Sequence, residues 1–161
     1  TPNPQGAYGK TKLAGENMVK DFADRYMIFR TAWLYGDGRN FVKTMLRLAE
    51  NGDKVRVVED QVGSPTSARE LARAITAQLF TDNYGLFHAT CEGNCSWADF
   101  AREIFRLAGR DTYVEGITSA EFPAKAPRPA YPILENYMLK LTGGYQFADW
   151  HDALDYYMKA Q

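Results

Sequence analysis

A tyrosine and a lysine near the start of the chain are the residues best suited to chemistry. Tyr8 and Lys12 are four positions apart in the stretch YGKTK, so on a helix they stand one turn apart on the same face. An ammonium group beside a phenol favours the phenolate, because opposite charge stabilises the ionised form. The pair therefore predicts a tyrosine that exchanges protons with a substrate near neutral pH. A Tyr/Lys pair on a solvated surface is the alternative, because the spacing alone is a weak signal.

The composition is that of one ordinary globular domain. The chain has 161 residues, of which 45% are hydrophobic and 14% aromatic, enough to bury a core. Its 19 basic and 20 acidic residues give a net charge of -1 without a basic run, so neither nucleic acid nor a membrane surface is an expected partner. No apolar run approaches the roughly 20 residues of a membrane span, and no leader opens the chain. Since two cysteines are too few for a disulfide framework, we expect a cytoplasmic protein.

The Tyr/Lys pair must be positioned by the elements around it. Apolar residues at every third or fourth position predict a helix over residues 8–25 with one buried face. Gly15 inside this helix indicates a close approach by another backbone. Residues 27–35 (MIFRTAWLY) are mostly apolar and aromatic and are followed by Gly-Asp-Gly, which predicts one buried strand entering a loop. Functional residues of an open α/β sheet gather at such strand ends.

The rest of the chain alternates strand and helix patterns. We predict a helix over 41–50 capped by Asn40, a strand at 55–58, a polar turn-forming loop at 60–66, a helix with a capping box at 67–70, a strand at 86–90, a second capping box at 96–99 and a closing helix at 149–158. Four prolines make residues 122–134 an extended arm. This alternation predicts an α/β fold with a largely parallel sheet.

Four stretches in register carry a resemblance to a known family. They are residues 1–16 (TPNPQGAYGKTKLAGE), 29–36 (FRTAWLYG), 40–50 (NFVKTMLRLAE) and 57–72 (VVEDQVGSPTSARELA), and residues 126–131 (APRPAY) add a fifth. In this order and spacing they resemble the extended short-chain dehydrogenase/reductase family, and within it the members that reduce keto sugars carried on dTDP.

The resemblance implies the carboxyl-terminal part of a Rossmann-like parallel sheet with a smaller mixed α/β substrate-binding domain. Residues 1–36 would be the catalytic helix and following strand of the dinucleotide-binding domain. Residues 37–161 would be mainly the sugar-nucleotide-binding domain, with residues 67–90 returning to the Rossmann-like sheet. The family's glycine-rich phosphate loop and its third catalytic hydroxyl have no counterpart in the sequence. We therefore expect that the amino-terminal cofactor-binding half is absent, and that the chain alone binds cofactor poorly and turns over little.

The implied reaction is reduction of the 4-keto group of dTDP-4-dehydro-L-rhamnose to dTDP-L-rhamnose by NADPH or NADH. In the family, Tyr8 matches the proton donor, and Lys12 matches the lysine that holds the nicotinamide ribose and assists the tyrosine. Both are thus expected to be catalytic and cofactor-binding. The expected substrate-binding residues are Trp33, Asn40, Gln61, Ser64, Thr66 and Arg128.

Each of these substrate-binding assignments has a structural alternative. Trp33 would offer a flat apolar wall and one hydrogen-bond donor, or it is a core aromatic. Asn40 and the polar residues of the 60–66 loop would bind sugar hydroxyls or diphosphate oxygens, or they are cap and turn residues. The Arg128 guanidinium suits a diphosphate, and an ordinary solvated arginine is its alternative.

The sequence offers a metal site and two other functions as alternatives to the reductase. His88, Cys91 and Cys95 are metal-ligand types, but no fourth ligand is apparent, so no metal is expected. A nucleotide-sugar epimerase or dehydratase shares Y-x-x-x-K and the fold. A non-catalytic regulatory subunit, of the kind found with methionine adenosyltransferase, also shares the fold and a similar YGKTK stretch. A homodimer is a further expectation, because the strand at 27–35 would lack its sheet neighbours and could pair with a second copy.

Overall fold

Helices and strands alternate along residues 2–122 and 131–160, which the computed structural model describes. In order they are α1 (Ala7–Phe22), β1 (Met27–Arg30), β2 (Leu34–Tyr35), α2 (Phe41–Glu50), β3 (Lys54–Val58), β4 (Val62–Gly63), β5 (Thr66–Ser67), α3 (Ala68–Gln78), β6 (Gly85–His88), β7 (Cys95–Ser96), α4 (Trp97–Leu107), β8 (Tyr113–Ile117), α5 (Tyr137–Leu141) and α6 (Trp150–Lys159). The predicted elements of this series are present, whereas β4, β5, β7, β8 and α5 were not predicted.

The strands form two-stranded sheets that are mostly parallel. β1 pairs with β6, β2 with β5 and β3 with β8, all in parallel, whereas β4 and β7 are antiparallel. The β1–β6 register runs from Met27 opposite Gly85 to Arg30 opposite His88. Parallel pairs need crossover connections, and α2 and α3 lie within such connections. The predicted α/β class is therefore confirmed, and the position of the domain boundary stays a prediction.

The single strand predicted over residues 27–35 is wrong, because the chain breaks it into β1 and β2. Trp33, between them, has φ of 47°, which is left-handed backbone. A pleated strand needs a negative φ, so the strand cannot continue through this residue. As a result β1 and β2 pair with different partners, β6 and β5.

The polar loop predicted at 60–66 is wrong in part, because it contains β4 and the start of β5. The stretch from Gly63 to Ser67 is buried throughout and contains the end of β4 and all of β5. Its polar groups find hydrogen-bond partners inside the chain, which removes the cost of burying them. Turn-forming residues here build part of the core.

α1 forms where it was predicted, but the prediction that one of its faces is buried is wrong. No α1 residue is buried, and a Cβ atom on Gly15 would meet nothing within 4 Å, so the expected close backbone approach is wrong for the described residues. Met18, Val19 and Phe22 of α1 are exposed, and Leu13 is half-buried. A polar contact, the Glu16–Arg30 ion pair, joins α1 to β1.

The core lies around α4. Phe100 and Ile104 of α4 are fully buried, and Val42 of α2 and Leu154 of α6 belong to the same cluster. The capping box predicted for residues 96–99 is confirmed, with both reciprocal hydrogen bonds present. This fixes the start of α4, which lies beside the start of β4, where Ser96 pairs with Val62.

The capping box predicted for residues 67–70 is only half formed. Ser67 caps α3, accepting a hydrogen bond from the Arg69 backbone N–H at 3.2 Å. Glu70 does not close the box, because its buried carboxylate accepts from the Tyr145 hydroxyl at 2.8 Å and the Ala148 backbone N–H at 3.2 Å. It thereby ties α3 to the segment before α6. Within the described part of the chain, no helix is long and apolar enough to cross a bilayer.

Candidate active site

Tyr8 and Lys12 lie one turn apart on α1, as their spacing predicts. The Lys12 Nζ atom is 5.9 Å from the centre of the Tyr8 ring, and Tyr8 is 77% exposed. Within residues 2–122 and 131–160, neither the Tyr8 hydroxyl nor the Lys12 ammonium has a hydrogen-bond or ion-pair partner. A phenol and an ammonium in this arrangement can both reach one ligand lying along their shared face.

An ion pair holds the same side of α1 against β1. Glu16 is four positions after Lys12, so it continues the line of Tyr8 and Lys12 along the helix. Arg30 Nε and Nη2 donate to the two Glu16 carboxylate oxygens, each at 2.7 Å. These bonds lower the pKa of Glu16. Because Arg30 is the last residue of β1, the pair turns the Tyr8 face toward the carboxyl end of that strand.

Trp33 lies three residues beyond Arg30, where β1 gives way to β2. Its left-handed φ of 47° is unusual for a bulky residue. Its carbonyl accepts a hydrogen bond from the Thr66 N–H at 3.2 Å. Its indole stacks on that of Trp97, with ring centres 3.5 Å apart and planes inclined by 13°. Backbone and ring contacts together hold the strained conformation.

Gly63 covers the other face of the Trp33 indole. A Cβ atom on Gly63 would lie 2.5 Å from Trp33 Cε2 and 2.8 Å from both Cζ2 and Nε1. Cζ2 and Nε1 are both bonded to Cε2. A Cβ atom that approached in the plane of the ring would lie closer to these two atoms than to Cε2, so Gly63 lies above the ring. Trp97 is not among these nearest atoms, so it lies on the opposite face. Trp33 thus presents an edge here, rather than the flat wall expected from the sequence.

Ser64 and Thr66 lie beside Trp33 but are buried, at 2% and 0% exposure. The Ser64 hydroxyl donates to the Gly93 carbonyl at 2.8 Å. The Thr66 hydroxyl donates to the Ser64 carbonyl at 3.1 Å and accepts from the Cys91 N–H at 3.3 Å. Both hydroxyls are used within the chain, as in their alternative role as turn residues. Their contact with a substrate stays a prediction.

Asn40 and Gln61 are half-buried and also bonded within the chain. Asn40 caps α2 as predicted, its Oδ1 accepting from the Lys43 N–H at 3.0 Å and its Nδ2 donating to the Gly36 carbonyl at 2.5 Å. The Gln61 Nε2 donates to the Ser119 hydroxyl at 2.8 Å. The structure therefore brings Trp33, Ser64 and Thr66 together, while Asn40 and Gln61 bond to other segments. Arg128 and most of the proline-rich arm lie outside the described residues.

His88, Cys91 and Cys95, the metal-ligand types in the sequence, do not form a metal-binding cluster. Within the described ranges, no group of three or more His, Cys, Asp or Glu side chains is placed to hold a metal ion. Cys91 and Cys95 are buried free cysteines. Burial raises the pKa of both thiols, that of Cys91 to about 12. Neither thiol is therefore poised to act as a nucleophile.

Sequence reasoning missed the residues that hold the candidate site together. Glu16 could have been found, since it continues the four-residue spacing of Tyr8 and Lys12. Trp97 and Gly63 gave no local signal, because they meet Trp33 only through long-range packing.

Parallel strand pairs, crossover helices and a Tyr/Lys pair ahead of the first strand define a Rossmann-like α/β protein of the short-chain dehydrogenase/reductase type. Residues 1–161 match the family model of the RmlD substrate binding domain. The chain belongs to this family.

Proteins of known name and structure agree with this assignment. Spore coat polysaccharide biosynthesis protein SpsK of Bacillus subtilis (strain 168) is 39% identical over 98% of this chain, which covers 55% of SpsK. A dTDP-4-dehydrorhamnose reductase from Clostridium acetobutylicum is 54% identical with a TM-score of 0.97, over 99% of this chain and 57% of that one. The dTDP-4-dehydrorhamnose reductase of Bacillus anthracis, solved with NADP, is 40% identical with a TM-score of 0.96, over 100% of this chain and 57% of that one. The chain thus spans little more than half the length of these relatives.

Proposed function

We propose that this chain is the catalytic-helix and substrate-binding part of an NAD(P)H-dependent reductase. The reaction is reduction of the 4-keto group of dTDP-4-dehydro-L-rhamnose to dTDP-L-rhamnose. The observation that carries the proposal is the exposed Tyr8/Lys12 pair on a helix face that the Glu16–Arg30 ion pair holds toward the end of β1. The names of the similar reductases support the substrate, and the NADP complex of one of them supports the cofactor.

The groups on α1 fit a nicotinamide cofactor. Ribose hydroxyls accept hydrogen bonds from an ammonium group, and the Lys12 ammonium is exposed on the side of α1 that carries Tyr8. The phosphates are expected to bind to the amino-terminal part that the longer relatives carry. Either NADPH or NADH is compatible with these residues.

The chemistry of this chain's residues is proton transfer. When bound, the reduced cofactor supplies a hydride to C4 of the sugar. Tyr8 donates its hydroxyl proton to the 4-keto oxygen as that oxygen becomes the hydroxyl, and solvent returns a proton to the tyrosinate. The positive charge of Lys12 stabilises the tyrosinate formed in this step.

The sugar-nucleotide site is proposed to lie at the carboxyl end of β1, around Trp33. Asn40, Gln61, Ser64, Thr66 and Arg128 are proposed to bind or frame the dTDP sugar. Residues 1–36 would belong with the dinucleotide-binding domain, to whose sheet residues 67–90 return, and residues 37–161 mainly with the sugar-nucleotide domain. A homodimer and a cytoplasmic location complete the proposal; the two buried free cysteines agree with a reducing compartment.

The experiment joins this chain to the amino-terminal part of the Clostridium acetobutylicum reductase and follows oxidation of NADPH and of NADH with dTDP-4-dehydro-L-rhamnose. We expect turnover that Tyr8→Phe lowers by about a hundredfold or more in kcat, with substrate binding kept, because the ring remains while the proton donor is lost. The matched control is Tyr113→Phe, since Tyr113 is also exposed and has Lys54 Nζ 6.0 Å from its ring centre.

Three outcomes would contradict the proposal. A joined protein that leaves both cofactors untouched would remove the reductase assignment. Product formed without net consumption of cofactor would favour the epimerase or dehydratase, whose cofactor is retained through the cycle. Binding without any turnover would favour the regulatory subunit.

A further inference from the structure

We infer that Trp97 and Gly63 form a clamp that fixes Trp33 and turns the edge of its indole, with the Nε1–H group, toward the sugar nucleotide. The inference rests on the proposed function, because it takes Trp33 as a substrate contact. It makes Trp97 a positioning residue, since its ring acts on the substrate through Trp33.

The conformation of Trp33 gives the first argument. A left-handed φ is unfavourable for a bulky residue such as Trp33 and persists only when surrounding contacts enforce it. One such contact is the hydrogen bond from the Thr66 N–H to the Trp33 carbonyl. The other two contacts cover the faces of the indole: the Trp97 ring lies on one face and the Gly63 backbone on the other. The contacts thus fix both the backbone and the ring plane.

The clamp itself is rigid on both sides. Trp97 is the first residue of α4, directly after the Ser96 cap, and its ring also packs on Phe41 with centres 4.6 Å apart. On the other side, Gly63 is buried in β4 and pairs with Cys95 of β7. A side chain at position 63 would collide with the indole. Only glycine therefore allows the ring to lie flat between its two neighbours.

The remaining free part of Trp33 is suited to a polar ligand. The residue is partly exposed, and its Nε1–H group has no acceptor and is not buried within residues 2–122 and 131–160. With both faces covered, a base or sugar ring cannot stack on it. A hydroxyl or phosphate oxygen at the ring edge can accept a hydrogen bond from Nε1. Trp33 therefore recognises the position of a ligand oxygen atom rather than an apolar surface of the ligand.

Circular dichroism tests the clamp without any activity. Two indoles stacked at 3.5 Å couple and give paired bands of opposite sign. The chain has three tryptophans, so Trp33→Phe and Trp97→Phe should each remove the paired bands, whereas Trp150→Phe should keep them. If the paired bands survive Trp97→Phe, they do not come from stacking of Trp33 on Trp97, and the inference is overturned. These spectra are recorded on the joined protein used to test the reductase.

Kinetics and binding test the positioning role. Trp97→Leu and Gly63→Ala should each raise KM for the sugar nucleotide about tenfold, with a smaller effect on kcat and an unchanged KM for NADPH. Trp97→Phe, which keeps an aromatic face, should stay near the parent. A merely structural role would lower the active fraction, so kcat would fall while KM stayed the same, and that result would overturn the inference.

Titration with dTDP-L-rhamnose separates this inference from the proposed function. If the parent protein binds dTDP-L-rhamnose and Trp97→Leu weakens that binding, but NADPH is never consumed, the reductase fails and the clamp stands. If the parent turns over and Trp97→Leu changes neither binding nor KM, the clamp fails and the reductase stands. If the parent neither binds nor turns over, both fail.

Discussion

Single residues in this chain show which polar groups the fold satisfies. Tyr35 and Tyr157 pack edge to face, with ring centres 5.2 Å apart, yet their hydroxyls differ. The Tyr157 hydroxyl donates to the Gly36 carbonyl at 2.8 Å and accepts from Asn40 at 3.2 Å. Tyr35 is 2% exposed, and its hydroxyl has no partner in the described part of the chain. Burial raises the pKa of Tyr35.

The two tyrosines predict opposite effects of the same substitution. Tyr35→Phe removes a hydroxyl that is buried without a partner, so the free energy of unfolding should stay the same or rise by up to about 1 kcal/mol. Tyr157→Phe, the matched control, should lower it by about 1–2 kcal/mol, because the Gly36 carbonyl and Asn40 lose a partner. Urea denaturation measures both. A loss from Tyr35→Phe as large as that from Tyr157→Phe would show that the Tyr35 hydroxyl is bonded.

At the scale of elements, α1 is the most weakly held part of the candidate site. It carries Tyr8 and Lys12 but buries none of its residues. The Glu16–Arg30 pair joins it to β1 through two hydrogen bonds of 2.7 Å, with the Glu16 side chain 14% exposed. We therefore expect the orientation of Tyr8 and Lys12 to depend strongly on this ion pair.

Glu16→Gln should release α1 from β1. We expect amide hydrogen exchange in α1 to become about tenfold faster, because a two-bond charged contact is replaced by a weaker neutral one. The control is Glu103→Gln, which breaks a similar pair with Arg106, at 2.7 and 2.8 Å, inside one helix; this change should leave α1 unaffected. Equal exchange in α1 of the parent and Glu16→Gln would contradict the link.

The attachment of α1 to β1 should weaken at acidic pH. Arg30 lowers the pKa of Glu16 from its usual 4.5. The ion pair thus stabilises α1 fully above this value and is lost as the pH falls through the lower folded-state pKa. Glu16→Gln should remove this dependence.

Local signals explain which elements were predictable. The helices α2 and α6 each follow a capping residue and carry regular apolar spacing, so their predicted bounds were close, and the capping box at 96–99 marked the start of α4. The break at Trp33 and the burial of residues 63–67 were not predictable, because both depend on partners distant in sequence. The Tyr8/Lys12 pair could be found from spacing, whereas the clamp around Trp33 could not.

For the whole molecule, the main feature is that exposed apolar side chains lie in the two segments leading into the β1–β6 pair. Phe22 of α1 and Phe80, just after α3, are 80% and 88% exposed. The Arg25 guanidinium lies 5.6 Å from the Tyr84 ring centre, which joins the two segments. Among the described strands, β1 has only β6 as a partner. Such surfaces and edges associate with other chains.

The chain alone should therefore self-associate. We expect the sedimentation coefficient to rise with concentration, and the double variant Phe22→Ser, Phe80→Ser to reduce that rise. Tyr113→Ser, which removes an exposed aromatic side chain from β8, should not change it. A monomer at every concentration would contradict this prediction and would also weaken the case for a homodimer.

The clamp also limits how the protein can open. Only residues 31–33 connect β1 to β2, and three residues span at most about 10 Å. Because Trp33 is held on both faces, this crossing is a poor hinge. The two strand pairs on either side of it should keep a fixed spacing when a ligand enters. Admission of the sugar nucleotide would then depend on the mobility of side chains and peripheral segments, and Trp33 would serve as a stationary reference point for the incoming substrate.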